Sequence, residues 1–436
     1  MTDEQKMWNP FANMGQIAGN TLDMVRASGC TVYDSEGRSY VDASGSLWYC
    51  NVGHGRTEIA DAAAAQMREL ACWHTFEYYS NPPAEALARR VAGLVPVPDA
   101  KVFFTAGGGS DAIDTAAKLA RAYWTAVGKP EKRAVVSRSF AYHGMNAYGT
   151  SLGGIPLLVQ SYEPLVIDVE RVAWDDAGAL ADALDRTGPE RVAAFFCEPV
   201  IGAGGVLHPP EGYLAEVQRI CRERDVLFVA DEVICGFGRT GNMFGTETYG
   251  LKPDIMTMAK ALSSAYLPIS ATVISDELYQ AFVAQSEKIG VFAHGFTYSA
   301  HPACCAVALE TLKIYEERNI LAHVRAVTPR LQDGLRRFAS RPLVGEVRGV
   351  GLIAGVELVR DKATKAPFDP KVGAGPMLAA RAQEHGLILR AMGDTVALCP
   401  PLIITADEID EMLRRFGQAL DDTEAALGAA GLASVA

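Results

Sequence analysis

Residues 226–241 read VLFVADEVICGFGRTG, a short apolar run that ends on two carboxylates and a glycine-containing turn. VLFVA is too short for a helix and too apolar for a half-exposed strand, so it is expected to be a buried strand of a parallel sheet. A carboxylate at the end of such a strand needs a partner, because an unpaired buried charge is very unfavourable. Asp231 therefore either pairs with a nearby cation such as Arg239 or holds the protonated ring nitrogen of a ligand. Glu198, just after VAAFFC, poses the same choice.

Outward from this run the pattern repeats. KVFF (101–104), AVV (134–136), VAAFF (192–196), DIMTM (254–258) and ISATVI (269–274) are apolar runs, with helical segments such as 111–127, 211–224 and 302–318 between them. That alternation predicts an α/β fold with a largely parallel sheet. Before it, TVYDSEGRSYVDA (31–43) predicts two short strands around a DSEG turn. After it, GLIAGVELV (351–359) predicts a strand, and TADEIDEMLRRF opens with a capping box, Thr405 with Glu408. These later segments predict a second, smaller α/β unit. The Ala/Gly-rich end, ALGAAGLASVA, is expected to fray.

Open α/β sheets bind ligands outside the carboxyl ends of their strands. Just past the runs come TAGGGSD, SFAYHG, CEPV, DEV and AK, polar or glycine-containing steps converging on one crevice. In FFTAGGGSDAID (103–114), a strand, a glycine turn and a helix start together place free N–H groups where a phosphate fits. The alternative is a plain turn with Ser110 or Asp111 as N-cap. The stretch has neither the GxGxxG of a dinucleotide site nor the GKS/GKT of a P-loop. In AYHG (141–144), Tyr142 either packs or stacks on a planar ring. Lys260 is the one cation of DIMTMAKALSSAYLP (254–268). It either reaches to water or is a desolvated, neutral amine able to form a Schiff base.

The 436 residues carry a net charge of −12 and 49% hydrophobic residues, enough for a large core or two packed units. An acidic surface disfavours nucleic acid and anionic membranes as partners, and no apolar run approaches a membrane span. MTDEQKMWNP shows no secretory signal. Nine cysteines without CxxC predict buried free thiols in a cytoplasmic protein, and eight histidines without metal-ligand spacing predict no metal site.

Taken together and in order, GGGSD, AYHG, EPV, DEVICGFGRTG, AKALSSAYLP and HGFTYSAHP resemble the class III pyridoxal-phosphate-dependent aminotransferases, most of all the pyruvate-using ω-transaminases. The resemblance runs from SLWYCNVGHGR near residue 46 to RAMGDTVALCPPL near 400. It implies a fold type I enzyme with a large cofactor-binding domain at 59–325. The small α/β domain is then built from both termini, 1–58 and 326–436. It implies pyridoxal 5′-phosphate held by Lys260 as an internal aldimine, with Asp231 at the ring nitrogen. Val233 and Tyr142 lie on the two ring faces, His143 and Glu198 nearby, and Gly109 and Ser110 on the phosphate. Thr297 would reach the phosphate in a neighbouring subunit, making a homodimer (or a tetramer of such dimers) with shared sites. Phe11 in WNPF and Trp48 in SLWYCN match substrate-pocket positions. Arg390 in LILRAMGD matches a mobile carboxylate-binding arginine, the alternative for it being a surface ion pair.

The implied reaction is ping-pong transfer of an amino group from a primary amine or ω-amino acid to an α-keto acid, with pyruvate as the expected acceptor. The alternative is another class III reaction, by an aminomutase, racemase or decarboxylating aminotransferase. A non-catalytic phosphate-binding protein would have no need of Lys260 with Asp231. The chain departs from the family where a serine-glycine-serine-glutamate turn is replaced by the longer GGGSD, and where Ala261 follows the lysine instead of glycine.

Overall fold

The structure is a computed structural model that describes residues 7–17 and 20–432. Its centre is a seven-stranded sheet. From edge to edge the strands are Lys101–Thr105, Ser270–Ile274, Ile255–Met258, Leu227–Asp231, Val192–Cys197, Ala134–Arg138 and Val169–Val172. The last five pair in parallel, and Ser270–Ile274 runs antiparallel to both its neighbours. Every residue of Val192–Cys197, Leu227–Asp231 and Ile255–Met258 is buried, as expected for central strands covered on both faces. All six apolar runs form strands. The seventh, Val169–Val172, was not anticipated, because VERV is short, half charged and lies on the edge.

The helices Gly109–Ala126, Tyr213–Glu223 and Pro302–Glu317 occupy the expected intervals. A second sheet joins the two ends of the chain. Met24–Ser28, Thr31–Asp34 and Ser39–Asp42 form an antiparallel meander, and Leu387–Ile388 pairs in parallel with its third strand. The DSEG turn is closed by the Asp34 carboxylate, which accepts the N–H groups of Glu36 (3.0 Å) and Arg38 (2.9 Å). A third sheet holds Val344–Val350, Ile353–Leu358, Thr395–Leu398 and Arg390–Met392.

Two expectations fail. ALGAAGLASVA does not begin to fray at its first residue. Helix Ala406–Ala429 runs into it with Leu427 buried, since apolar packing outweighs the cost of Gly428, and residues 433–436 lie outside the described residues. All nine cysteines are free, but Cys72 is exposed and Cys304 half-buried.

Helix Ala406–Ala429 starts with the anticipated capping box: Glu408 N–H donates to Thr405 Oγ1 (3.2 Å), and Thr405 N–H to Glu408 Oε2 (2.8 Å). Thr405→Ala should lower the unfolding free energy by about 1 kcal/mol, read from the shift in a urea transition. An unchanged midpoint would show that the cap contributes nothing.

Candidate active site

Asp231 ends its strand with its side chain in the ligand-facing crevice and only 4% of its surface exposed. Its Oδ1 accepts the Val233 N–H (3.1 Å) and the Thr257 hydroxyl (3.1 Å), and its Oδ2 lies 2.8 Å from His143 Nδ1. The ion pair with Arg239 does not form. Arg239 is fully buried and donates instead to the carbonyls of Leu352 (2.8 Å) and Pro400 (2.6 Å) and to Asn51 Oδ1 (2.6 Å). Glu232, next in the chain, turns the other way and binds the N–H groups of Gly245 (2.9 Å) and Thr246. Burial holds its carboxyl up at about 7. Only the first carboxylate of DEV therefore serves the crevice.

Glu198 is also buried, its oxygens accepting the N–H groups of Tyr142 (3.1 Å) and Gly202 (3.0 Å). Desolvation raises its pKa above the ordinary carboxylate value. Lys260 follows strand Ile255–Met258 with a left-handed backbone, φ 44°. It is half-buried, and desolvation lowers its pKa below the ordinary 10.5, against the pull of Asp231 and Glu198.

Helix Gly109–Ala126 begins with Gly108 as N-cap and no side-chain cap, so neither Ser110 nor Asp111 caps it. Asp111 reaches back to the Gly107 N–H (2.8 Å), and Ser110 Oγ accepts the Met145 N–H (3.0 Å). Among the described residues the N–H groups of Gly108, Gly109 and Ser110 have no protein acceptor. A Cβ at Gly109 would lie 2.9 Å from Val233 Cγ1, so glycine keeps this end of the crevice open.

One cavity of about 290 Å³ brings together Gly109, Ser110, Tyr142, His143, Glu198, Asp231, Val233 and Lys260. It does not take in Trp48, Arg390, Phe11 or Thr297. Trp48 is buried behind the wall, which Leu47 and Tyr49 supply on either side of it in sequence. Arg390 stacks over the Trp48 ring, 5.7 Å from its centre, and its charge acts on both Lys260 and Tyr142. Phe11 and Thr297 are exposed. Sequence reasoning missed Leu47, Tyr49 and Ile234 in the wall, and Thr257 behind Asp231. Of these only Thr257 left a trace, as the polar residue inside the apolar DIMTM.

Residues 14–420 match the family described as "Aminotransferase class-III". The chain belongs to the class III aminotransferases. It is 43% identical to gamma aminobutyrate transaminase 3, chloroplastic, of Solanum lycopersicum, over 92% of this chain and 81% of that one. An ω-transaminase of Pseudomonas jessenii, solved in complex with PMP, superposes with a TM-score of 0.94 at 41% identity, covering 97% of both chains. A structure titled "Transaminase with L-ala" superposes at 0.91 with 43% identity, over 93% of this chain and 100% of that one.

Enzymes of this class use pyridoxal 5′-phosphate. The residues present fit it. The bare N–H groups at the start of helix Gly109–Ala126 suit a phosphate dianion, the Asp231 carboxylate suits a protonated ring nitrogen, and the Lys260 amine an aldehyde.

Because burial disfavours the Lys260 ammonium, the neutral amine should be populated at lower pH than in an ordinary lysine. In the cofactor-free aminotransferase, acylation of Lys260 followed by mass spectrometry should therefore show a midpoint below 10.5. A midpoint at or above that value would contradict the desolvated environment.

Proposed function

We propose that this aminotransferase moves an amino group from a primary amine or ω-amino acid to pyruvate by a ping-pong sequence. The observation that carries the proposal is Arg390. Its guanidinium is largely desolvated and has no carboxylate partner among the described residues, and its charge reaches Lys260. A desolvated cation without a counter-ion is expensive, and a keto-acid carboxylate offers a bidentate partner. A relative solved with L-alanine, the aminated form of pyruvate, supports the same acceptor.

When bound, pyridoxal phosphate supplies an aldehyde that takes up the amino group and a ring that withdraws electrons. Lys260 would hold it through Nζ, and the same amine, when free, would take the proton from the amine-bearing carbon of the substrate. The Asp231 carboxylate, fixed by Val233, Thr257 and His143, would pair with the ring nitrogen and hold a proton there. Gly109 and Ser110 would hold the phosphate, while Tyr142 and Val233 would confine the ring, with His143 and Glu198 beside it. Phe11 and Trp48 belong to the substrate side. Thr297, exposed and outside its own chain's cavity, serves the site of a second copy in a homodimer. The division at residues 58 and 325 and a cytoplasmic setting belong to the same proposal.

Two outcomes are expected. Lys260→Ala should lose at least about 10²-fold in turnover, as when a positioned proton-transfer group is removed. Arg390→Ala should raise KM for pyruvate by roughly 10- to 100-fold, the equivalent of about 1.5–3 kcal/mol, with little change for an uncharged amine. Both are read by alanine formation from a panel of amines with pyruvate. An enzyme that forms no alanine from pyruvate, yet isomerises or decarboxylates its amine, would displace this reading.

A further inference from the structure

The stretch after Lys260, ALSSAYLP (261–268), is absorbed by nothing proposed so far. Lys260, Ser264 and Ala265 have φ values of 44°, 49° and 57°, in the left-handed region that residues other than glycine rarely enter. Such a backbone persists only where its surroundings over-determine it. Within the turn, Ser263 Oγ donates to the Leu267 carbonyl (2.6 Å) and the Ala265 N–H to the Lys260 carbonyl (3.2 Å), and two further hydroxyls tie it to a distant segment. Ser264 Oγ accepts the Val52 N–H (3.0 Å) and donates to the Tyr49 carbonyl (3.3 Å). Tyr266 Oη accepts the Arg56 N–H (2.8 Å) and donates to the Gly53 carbonyl (2.8 Å).

All four backbone partners lie on one short segment, Tyr49 to Arg56, which is far from Lys260 in sequence. That segment has little freedom of its own. Arg56 Nε donates back to the Val52 carbonyl (2.7 Å), and Gly53 sits at φ 84° where a Cβ would meet Ile403 Cδ1 at 2.3 Å. At its start, Tyr49 shares a cavity wall with Leu47. On the other side, Ser263 and Ala265 line the same cavity, whereas Ser264 and Tyr266 do not.

We propose that Ser264 and Tyr266 are positioning residues. Their hydroxyls latch the turn that presents Lys260 to the segment Tyr49–Arg56, and so set the amine against the Leu47–Tyr49 wall where substrate lies. The latch acts through Lys260, so it rests on the reading of Lys260 as the amine that moves the proton. Proton transfer is steep in geometry, and a misplacement of ~1 Å can cost about 10²-fold in rate. Losing the latch therefore lowers kcat and leaves KM close to its original value. Tyr266 also packs against the main core, so phenylalanine keeps the packing and removes only the hydroxyl.

The test uses Tyr266→Phe and Ser264→Ala holoenzymes, with single-turnover amine half-reactions normalised to bound cofactor. Hydrogen exchange of peptides spanning 49–56 is measured in the cofactor-free protein. The expected result is a half-reaction slowed by about 10-fold or more with amine KM changed less than about 2-fold. Faster exchange over 49–56 should accompany it, because Val52 and Arg56 lose the acceptors of their N–H groups. A purely structural role would lower the yield of folded enzyme but not the rate per loaded site. Wild-type half-reaction rates in both variants overturn the proposal, whatever the exchange does. Slowed rates with unchanged exchange over 49–56 overturn it as well. Should Tyr266→Phe fail to fold, Ser264→Ala alone decides by the same criteria. Full activity in Lys260→Ala would instead remove the reading of Lys260 on which the latch rests.

Discussion

The Arg239 guanidinium is the contact on which the arrangement of the site depends. It is wholly buried, and its partners among the described residues are neutral acceptors: the Leu352 and Pro400 carbonyls and the Asn51 amide oxygen. Three segments far apart in sequence thus meet on one side chain, and removing it would leave several polar groups buried without partners. Their backbones are correspondingly tight. A Cβ on Gly351 (φ 57°) would lie 2.2 Å from the Arg239 carbonyl, and one on Gly45 (φ 54°) would lie 2.7 Å from that of Cys399. By fixing these segments, Arg239 seats the turn carrying Leu47 and Tyr49, and the strand pair carrying Arg390, over the carboxyl edge of the seven-stranded sheet.

The same economy of charge explains the two acids of DEV. Asp231 keeps three donors and a wall of the cavity. Glu232 is buried and accepts the two N–H groups of a short helix start. Its raised pKa means that the folded state holds a proton the unfolded chain releases at about 4.5. Its contribution to stability therefore falls as pH rises from about 4.5 to about 7. Of the two acids, Asp231 faces the cavity, while Glu232 is buried where its charged form is disfavoured.

What was legible in the sequence follows from what is local. Apolar runs announce central strands because burial on both faces excludes polar residues, and Val169–Val172 escaped because an edge strand carries no such constraint. The polar residues past those runs predicted the cavity, since the chain must leave a parallel sheet at one edge. Thr405 with Glu408 was readable because a capping box spans only four residues. Contacts between distant segments left no such pattern. Neither the partners of Arg239 nor the hydroxyl bonds of Ser264 and Tyr266 to Tyr49–Arg56 can be read from spacing.

Trp48 and Arg390 show how one pocket could serve two substrates in the proposed reaction. With no carboxylate partner among the described residues, the guanidinium rests over the indole at 5.7 Å, within the range of a cation–π contact worth about 0.5–2 kcal/mol. A charge-assisted hydrogen bond to a carboxylate is worth about 1.5–3 kcal/mol, and a bidentate pair makes two. In the proposed reaction an entering keto acid would therefore outcompete the ring for Arg390, while an apolar amine side chain would leave the guanidinium stacked. The carboxylate contact would thus draw the arginine off the ring, and departure of the acid would let it return.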